Sequence, residues 1–156
     1  MNAFSEDLKD VLVAQGLGVF AGTGNSKPGI YISHFPDMPA GVITIYDLPG
    51  PAAEGCFNPL APRWISSMFE VMVRASNYKD AYALAWRLSS ILEKYPELFQ
   101  DCPGTLRSIK ITVPPHQFHT DGYRRSIVMF MGTAYRVEDD EFGPTPTGDP
   151  TATPSP

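Results

Sequence analysis

The sequence predicts an α+β fold, a mixed or antiparallel sheet with two helices packed on one face, and three observations lead to it. Residues 68–95, MFEVMVRASNYKDAYALAWRLSSILEKY, change hydrophobic period once. Phe69, Val71 and Val73 alternate with Glu70, Met72 and Arg74 as in a half-buried strand, and Ala81, Leu84, Ala85, Leu88, Ile91, Leu92 and Tyr95 then recur at helical spacing. A second amphipathic stretch opens the chain, with Phe4, Leu8, Val11 and Leu12 on one face. Further alternating runs lie around 30–35, 42–47, 107–113 and 123–137. The order of helix, two strands, loop, strand, helix and two strands places both helices on one side of a sheet.

Each element has a local cause. Gly16 and Gly18 end the first helix. Residues 21–29, AGTGNSKPG, are a turn or loop: their glycines lack the spacing of a phosphate-binding loop, and Pro28 leads into strand rather than helix. Ile30, Ile32 and His34 alternate with Tyr31, Ser33 and Phe35; Val42, Thr44 and Tyr46 alternate with Ile43, Ile45 and Asp47 across FPDMPAG, so the two runs are expected to pair as a hairpin. Residues 48–62, LPGPAAEGCFNPLAP, carry four prolines and form a long surface excursion. Asn77 is the expected cap of the long helix, with Asp80 near the positive end of its dipole, and Pro96 stops it. Ile109, Ile111 and Val113 mark the next strand, PPHQFHTDG (114–122) turns the chain, and the closing strand, apolar on both faces at IVMFM, belongs in the sheet interior.

At 156 residues and 43% hydrophobic content the chain is read as one domain over residues 1–142, able to bury a core without metal or disulfides, followed by a disordered Pro/Thr-rich tail over 143–156 that holds five prolines. A net charge of −5 with no basic run argues against direct nucleic acid binding. No apolar run approaches the ~18 residues of a membrane span and the start is too polar for a signal peptide. Cys56 and Cys102 are isolated thiols, read as reduced.

No residues assemble into a catalytic constellation, so no enzyme and no cofactor is expected. His116 and His119, with Asp121 nearby, lack a pre-organised metal spacing. Ser66 and Ser67 sit in no nucleophile elbow, Glu54 beside Cys56 disfavours a thiolate, and Asp139, Asp140 and Glu141 are a solvated acidic cluster. What stands out is surface. Tyr78, Tyr82 and Trp86 form an i, i+4, i+8 ridge beside the core stripe of the long helix, which is either core packing or a protein interface. Arg74 at a strand exit, and Arg124 with Arg125 before the last strand, are either solvated charges or intersubunit contacts. In the interface reading, their replacement by Glu spares the fold and impairs assembly.

GIYISHFPDMPAGVITIYDLPG, FEVMVRASNYKDAYALAWRLSSIL and DGYRRSIVMFMGTAYRV together resemble the tail terminator and minor capsid family of long-tailed bacteriophages, over roughly residues 4–137. The resemblance rests on the strand ending in V-R, the polar turn, Y-x-x-A and the amphipathic helix, and on D-G-Y-R-R before an alternating strand. It implies a sandwich that assembles as a hexameric ring on the tail tube, stops tube polymerisation and presents a surface to neck or head completion proteins. It further implies a virion protein assembled in the host cytoplasm, with no cofactor. The candidate subunit interface is then Arg74, Tyr78, Tyr82, Trp86, Tyr123, Arg124 and Arg125. The alternatives are a head completion or neck adaptor protein and, in another class, a small ligand- or metal-binding enzyme domain using His116, His119 and Asp121.

Overall fold

A computed structural model of the chain describes residues 3–21, 27–50, 64–95 and 106–137. Helix α1 (Phe4–Ala14) is followed by β1 (Val19–Phe20), β2 (Gly29–Ile32), β3 (Val42–Leu48), β4 (Trp64–Ala75), α2 (Tyr78–Glu93), β5 (Leu106–Thr120) and β6 (Ser126–Val137). The strands form one mixed sheet in the order β1-β2-β3-β4-β6-β5. β1, β2 and β3 run parallel, whereas β3–β4, β4–β6 and β6–β5 are antiparallel. The fold is α+β with an open sheet, as expected from the sequence.

The strand-to-helix switch forms as its periodicity dictates. Phe69, Val71 and Val73 are buried toward the helices, and Ala81, Ala85, Leu88 and Leu92 meet them from α2. Asn77 caps α2 by accepting from the Asp80 N–H at 2.9 Å. α1 has no cap of its own. Instead Asp47 of β3 accepts from the Ser5 N–H at 3.0 Å and from its hydroxyl, placing a carboxylate at the positive end of the helix. The Phe4 and Phe69 rings pack tilted at 4.9 Å in the core cluster that both helices share with the sheet. A second long-range tie is buried: Arg136 of β6 donates to Asp7 of α1 at 2.8 Å. Burial pushes the Asp7 carboxyl up, against the downward pull of Arg136.

Four sequence expectations are corrected. The runs at 30–35 and 42–47 pair in parallel, Gly29 with Val42 through Ile32 with Ile45, not as a hairpin. Ser33 takes a left-handed backbone (φ 53) that ends β2, and residues 33–41 return the chain beside it. A strand of four residues spans only ~13 Å, so so short a return suffices without a helix. β1 is an additional edge strand, too short to show alternation. β4 begins at Trp64, so Ser66 and Ser67 lie within it. PPHQFHT is strand rather than turn: β5 runs to Thr120, with register shifts that include Val113/His116 and Gln117/His119. Prolines fit there because β5 is an edge strand and their missing N–H breaks no central ladder. The excursion at 51–62, both cysteines, Pro96, the acidic cluster 139–141 and the tail 143–156 lie outside the described residues.

β4 and β5 run in the same direction with β6 between them, so α2 is the crossover of a split βαβ unit. β6, apolar on both faces, takes the interior position expected of it. Gly132 of β6 is required by close approach: a Cβ there runs into the Phe69 ring and lies within 2.9 Å of the Lys110 backbone oxygen.

Two outcomes follow from this packing. Leu88→Asp places a carboxylate at a fully buried site and is expected to abolish cooperative folding, read by circular dichroism and thermal melting. Arg136→Met strands the Asp7 carboxylate and is expected to cost about 3–5 kcal/mol in denaturant titration, whereas Arg136→Met with Asp7→Leu recovers most of that loss.

Candidate functional site

The expected surface residues separate into two kinds. Arg74 is 1% exposed, which corrects the expectation of a solvated charge or an intersubunit contact. Its position on β4 points to the sheet face opposite the helices, and residues 33–41 cross that face over it. The Arg74 Nη2 donates to the Pro36 carbonyl at 2.6 Å and the Pro39 carbonyl at 2.8 Å, and Nη1 lies 3.9 Å from Asp121. The Phe35 ring sits 4.8 Å from the guanidinium carbon. Burial lowers the Arg74 pKa, with Arg125 adding to the effect and Asp121 opposing it. Among the described residues its Nε finds no acceptor.

Arg125 is corrected in the same sense. It is buried, its Nε donates to Asp121 at 2.7 Å and its Nη1 to the Asp37 carbonyl at 2.6 Å. Two arginines thus hold the 33–41 connection through its carbonyls, and Asp121 joins them. Asp121 also shapes the β5–β6 turn, accepting from the Tyr123 N–H at 3.0 Å and the Arg125 N–H at 2.9 Å. Burial raises the Asp121 pKa, but the Arg125 backbone and side-chain hydrogen bonds outweigh it and hold the carboxyl below its usual range.

The remaining candidates are at the surface. Tyr123 is 73% exposed and its ring packs 4.7 Å from the Arg125 guanidinium carbon. Arg124 is exposed at a left-handed position (φ 59). Met38, 72% exposed, approaches Arg125 through its sulfur at 4.0 Å, so Met38, Tyr123 and Arg124 share one end of the sheet. Along α2 the aromatic ridge is continuous: Tyr78 and Tyr82 lie 5.3 Å apart and Tyr82 and Trp86 6.1 Å. Tyr78 and Trp86 are each 44% exposed, and Tyr82 is half-buried against the core. The ridge is therefore part core support and part open aromatic surface.

His116 and His119 lie on β5, not in a loop, and the Asp121 carboxylate beside them is already engaged by Arg125. Among the described residues no group of three or more His, Cys, Asp or Glu is placed to hold a metal, and no helix is long and apolar enough to cross a membrane.

Sequence reasoning missed the second face of the sheet. Cross-strand register aligns Tyr46, Glu70 and Met131 in one row, Thr44, Met72, Met129 and His116 in the next, and Leu48, Met68 and Thr133 in a third. Met68, Met72, Met129 and Met131 are all half-buried there, with Glu70 in their midst. Burial pushes the Glu70 carboxyl up, with His116 pulling it down, and the Tyr46 hydroxyl is raised by burial and by Glu70. The alternation of Glu70, Met72 and Arg74 on one face was legible; which strands would extend that face was not.

With this geometry in view, comparison with known proteins decides the family. The family described as bacteriophage tail terminator protein matches residues 12–127. The chain belongs to it. Members of this family are structural proteins of the phage tail. No curated protein matches this tail terminator chain. Among solved structures it is similar to a chain of one described as the virion of a native gene transfer agent (GTA) particle, at 15% identity and a TM-score of 0.57, covering 87% of this chain and 96% of that one. A second solved chain aligns at 15% identity and a TM-score of 0.50, covering 87% and 97% respectively. At these identities the likeness is one of fold.

Arg74→Glu is now expected to fail to fold, because it buries an anion among carbonyls, whereas Arg124→Glu keeps the wild-type melting temperature. Asp121→Asn tests the turn by pH. Since the folded-state pKa of Asp121 is depressed, its stabilisation is present above the unfolded carboxylate pKa and lost as pH falls through the folded one. The melting-temperature gap between wild type and Asp121→Asn should therefore narrow on acidification. Asp7 and Glu70, whose values are raised, contribute in the opposite sense to both proteins, so the gap isolates Asp121.

Proposed function

We propose that this tail terminator caps the phage tail tube as a ring, ends tube polymerisation and provides the surface to which the head attaches. The observation that carries the reading is the family match over 12–127, which includes the strand-to-helix unit and the 33–41 connection. In this reading the ring is a hexamer, its partners are the tail tube protein below and a neck or head completion protein above, and it resides in the virion after assembly in the host cytoplasm. Residues 1–142 act as one domain and the Pro/Thr-rich segment 143–156 is an appendage to it. The chain acts by shape and contact, without cofactor or catalysis.

A cyclic ring larger than a dimer is heterologous, so each subunit needs two different complementary patches. The surface supports this: an exposed aromatic and cationic end around Tyr123 and Arg124, the Tyr78–Trp86 ridge, and a half-buried methionine face are chemically distinct. The test is genetic and microscopic. Phage lacking the chain should produce tails of abnormal, extended length that fail to join heads, and wild-type tails should carry a six-fold ring at the head-proximal end by electron microscopy. Tails of normal length that lack only the head would instead make it a neck adaptor.

A further inference from the structure

The sheet face turned away from the helices is apolar at its centre, where Glu70 lies, and carries basic residues toward its margins: Lys110 and His116 on the edge strand β5, and the buried Arg74 under residues 33–41. Glu70 is flanked across strands by Tyr46 and Met131, with Met68, Met72 and Met129 in the adjoining rows. Among the described residues the Glu70 carboxylate takes no hydrogen bond or ion pair, and it is coupled electrostatically to His116 and to the Tyr46 hydroxyl. The Glu70 oxygens are not among the buried atoms that lack a partner, and a cation docking on a carboxylate set among apolar side chains makes a charge-assisted hydrogen bond with it. Methionine side chains around it conform readily to whatever packs on them. The face is thus a socket for an apolar group that carries a positive charge.

The same chain presents such a group elsewhere. The β5–β6 turn is fixed from within by the Asp121 carboxylate, which accepts from the Tyr123 and Arg125 backbones, and by the Arg124 N–H, which donates to the Asp121 carbonyl at 2.9 Å. Tyr123 is held on the anchored Arg125, and Arg124 beside it is exposed, its side chain making no ion pair among the described residues. The tyrosine, already held on Arg125, loses little conformational entropy on docking, and tyrosine and arginine are residue types that dominate interface energetics. Arginine also matches a carboxylate in a two-pronged geometry.

We propose that the Tyr123–Arg124 tip of one copy seats on the methionine face of a second copy, with Arg124 meeting Glu70. Charge complementarity selects the occupant: an apolar tip bearing a cation meets an apolar face bearing an anion. Tip and socket are different parts of one chain, so the contact is heterologous and repeats from copy to copy until it closes. The contact rests on the ring reading above and names the surfaces that build the ring.

The test uses tails assembled from a chain carrying Cys56→Ser, Cys102→Ser, Glu70→Cys and Arg124→Cys. Mild oxidation of purified tails should give a ladder of disulfide-linked oligomers on a non-reducing gel, absent when either introduced cysteine is alone. Normal-length tails that contain this variant without intermolecular cross-links would overturn the contact and leave the ring reading standing. Absence of the wild-type chain from purified tails would overturn both. Charge exchange guards against misfolding of the cysteine variant: Arg124→Glu or Glu70→Lys, each checked by circular dichroism, should lower incorporation into tails by about tenfold, and the two together should restore it. Failure of the pair to restore what each single change removes also overturns the contact.

Discussion

A guanidinium removed from water must be surrounded by acceptors, and the Arg74 side chain meets that requirement with the carbonyls of Pro36 and Pro39 and the carboxylate of Asp121. This need governs the path of residues 33–41. Because that segment crosses the sheet face to reach Arg74, it delivers the chain to the start of β3 on the same side from which β2 began, and the pairing is parallel. Arg125 reinforces the arrangement from β6 through the Asp37 carbonyl. The cations are held by backbone oxygens from one segment and a carboxylate from another, so three distant parts of the chain are tied together there.

The opposite face obeys a simpler rule. Both helices bury their apolar stripes against Phe69, Val71, Val73, Val128 and Phe130, each such side chain contributing about 1.5–3 kcal/mol on burial. The Asp7–Arg136 pair then fixes α1 against the end of β6. With one face closed by helices and the end of the other closed by the 33–41 segment, the methionine rows, the aromatic ridge and the Tyr123–Arg124 turn are surfaces that the described residues leave at least partly uncovered.

Much of this was legible because it depends on neighbours in sequence. The Asn77 cap, the α2 stripe and the alternation of β4 are contacts between residues a few positions apart, and they stand as read. The hairpin reading failed because alternation reveals that a strand exists and not the direction of its partner. The extent of β5 was misread because Pro114 and Pro115 signal a break unless the strand lies at an edge, which is a property of the whole sheet. Arg74 and Arg125 were read as surface because charge predicts exposure unless acceptors arrive from elsewhere, and the carbonyls that accept from them arrive from 35 to 88 positions away.

The sequence by itself determined the α+β class, the strand-to-helix unit at the centre of the chain, the helical faces and the tail terminator resemblance, since each is written in local periodicity or in contiguous motifs. Only the tertiary structure decided the parallel pairing of β2 with β3, the insertion of β6 between β4 and β5, the burial of Arg74 and Arg125, and the gathering of four methionines around Glu70. Those features are made by cross-strand register and by cations seeking distant carbonyls, and neither leaves a periodic trace along the chain.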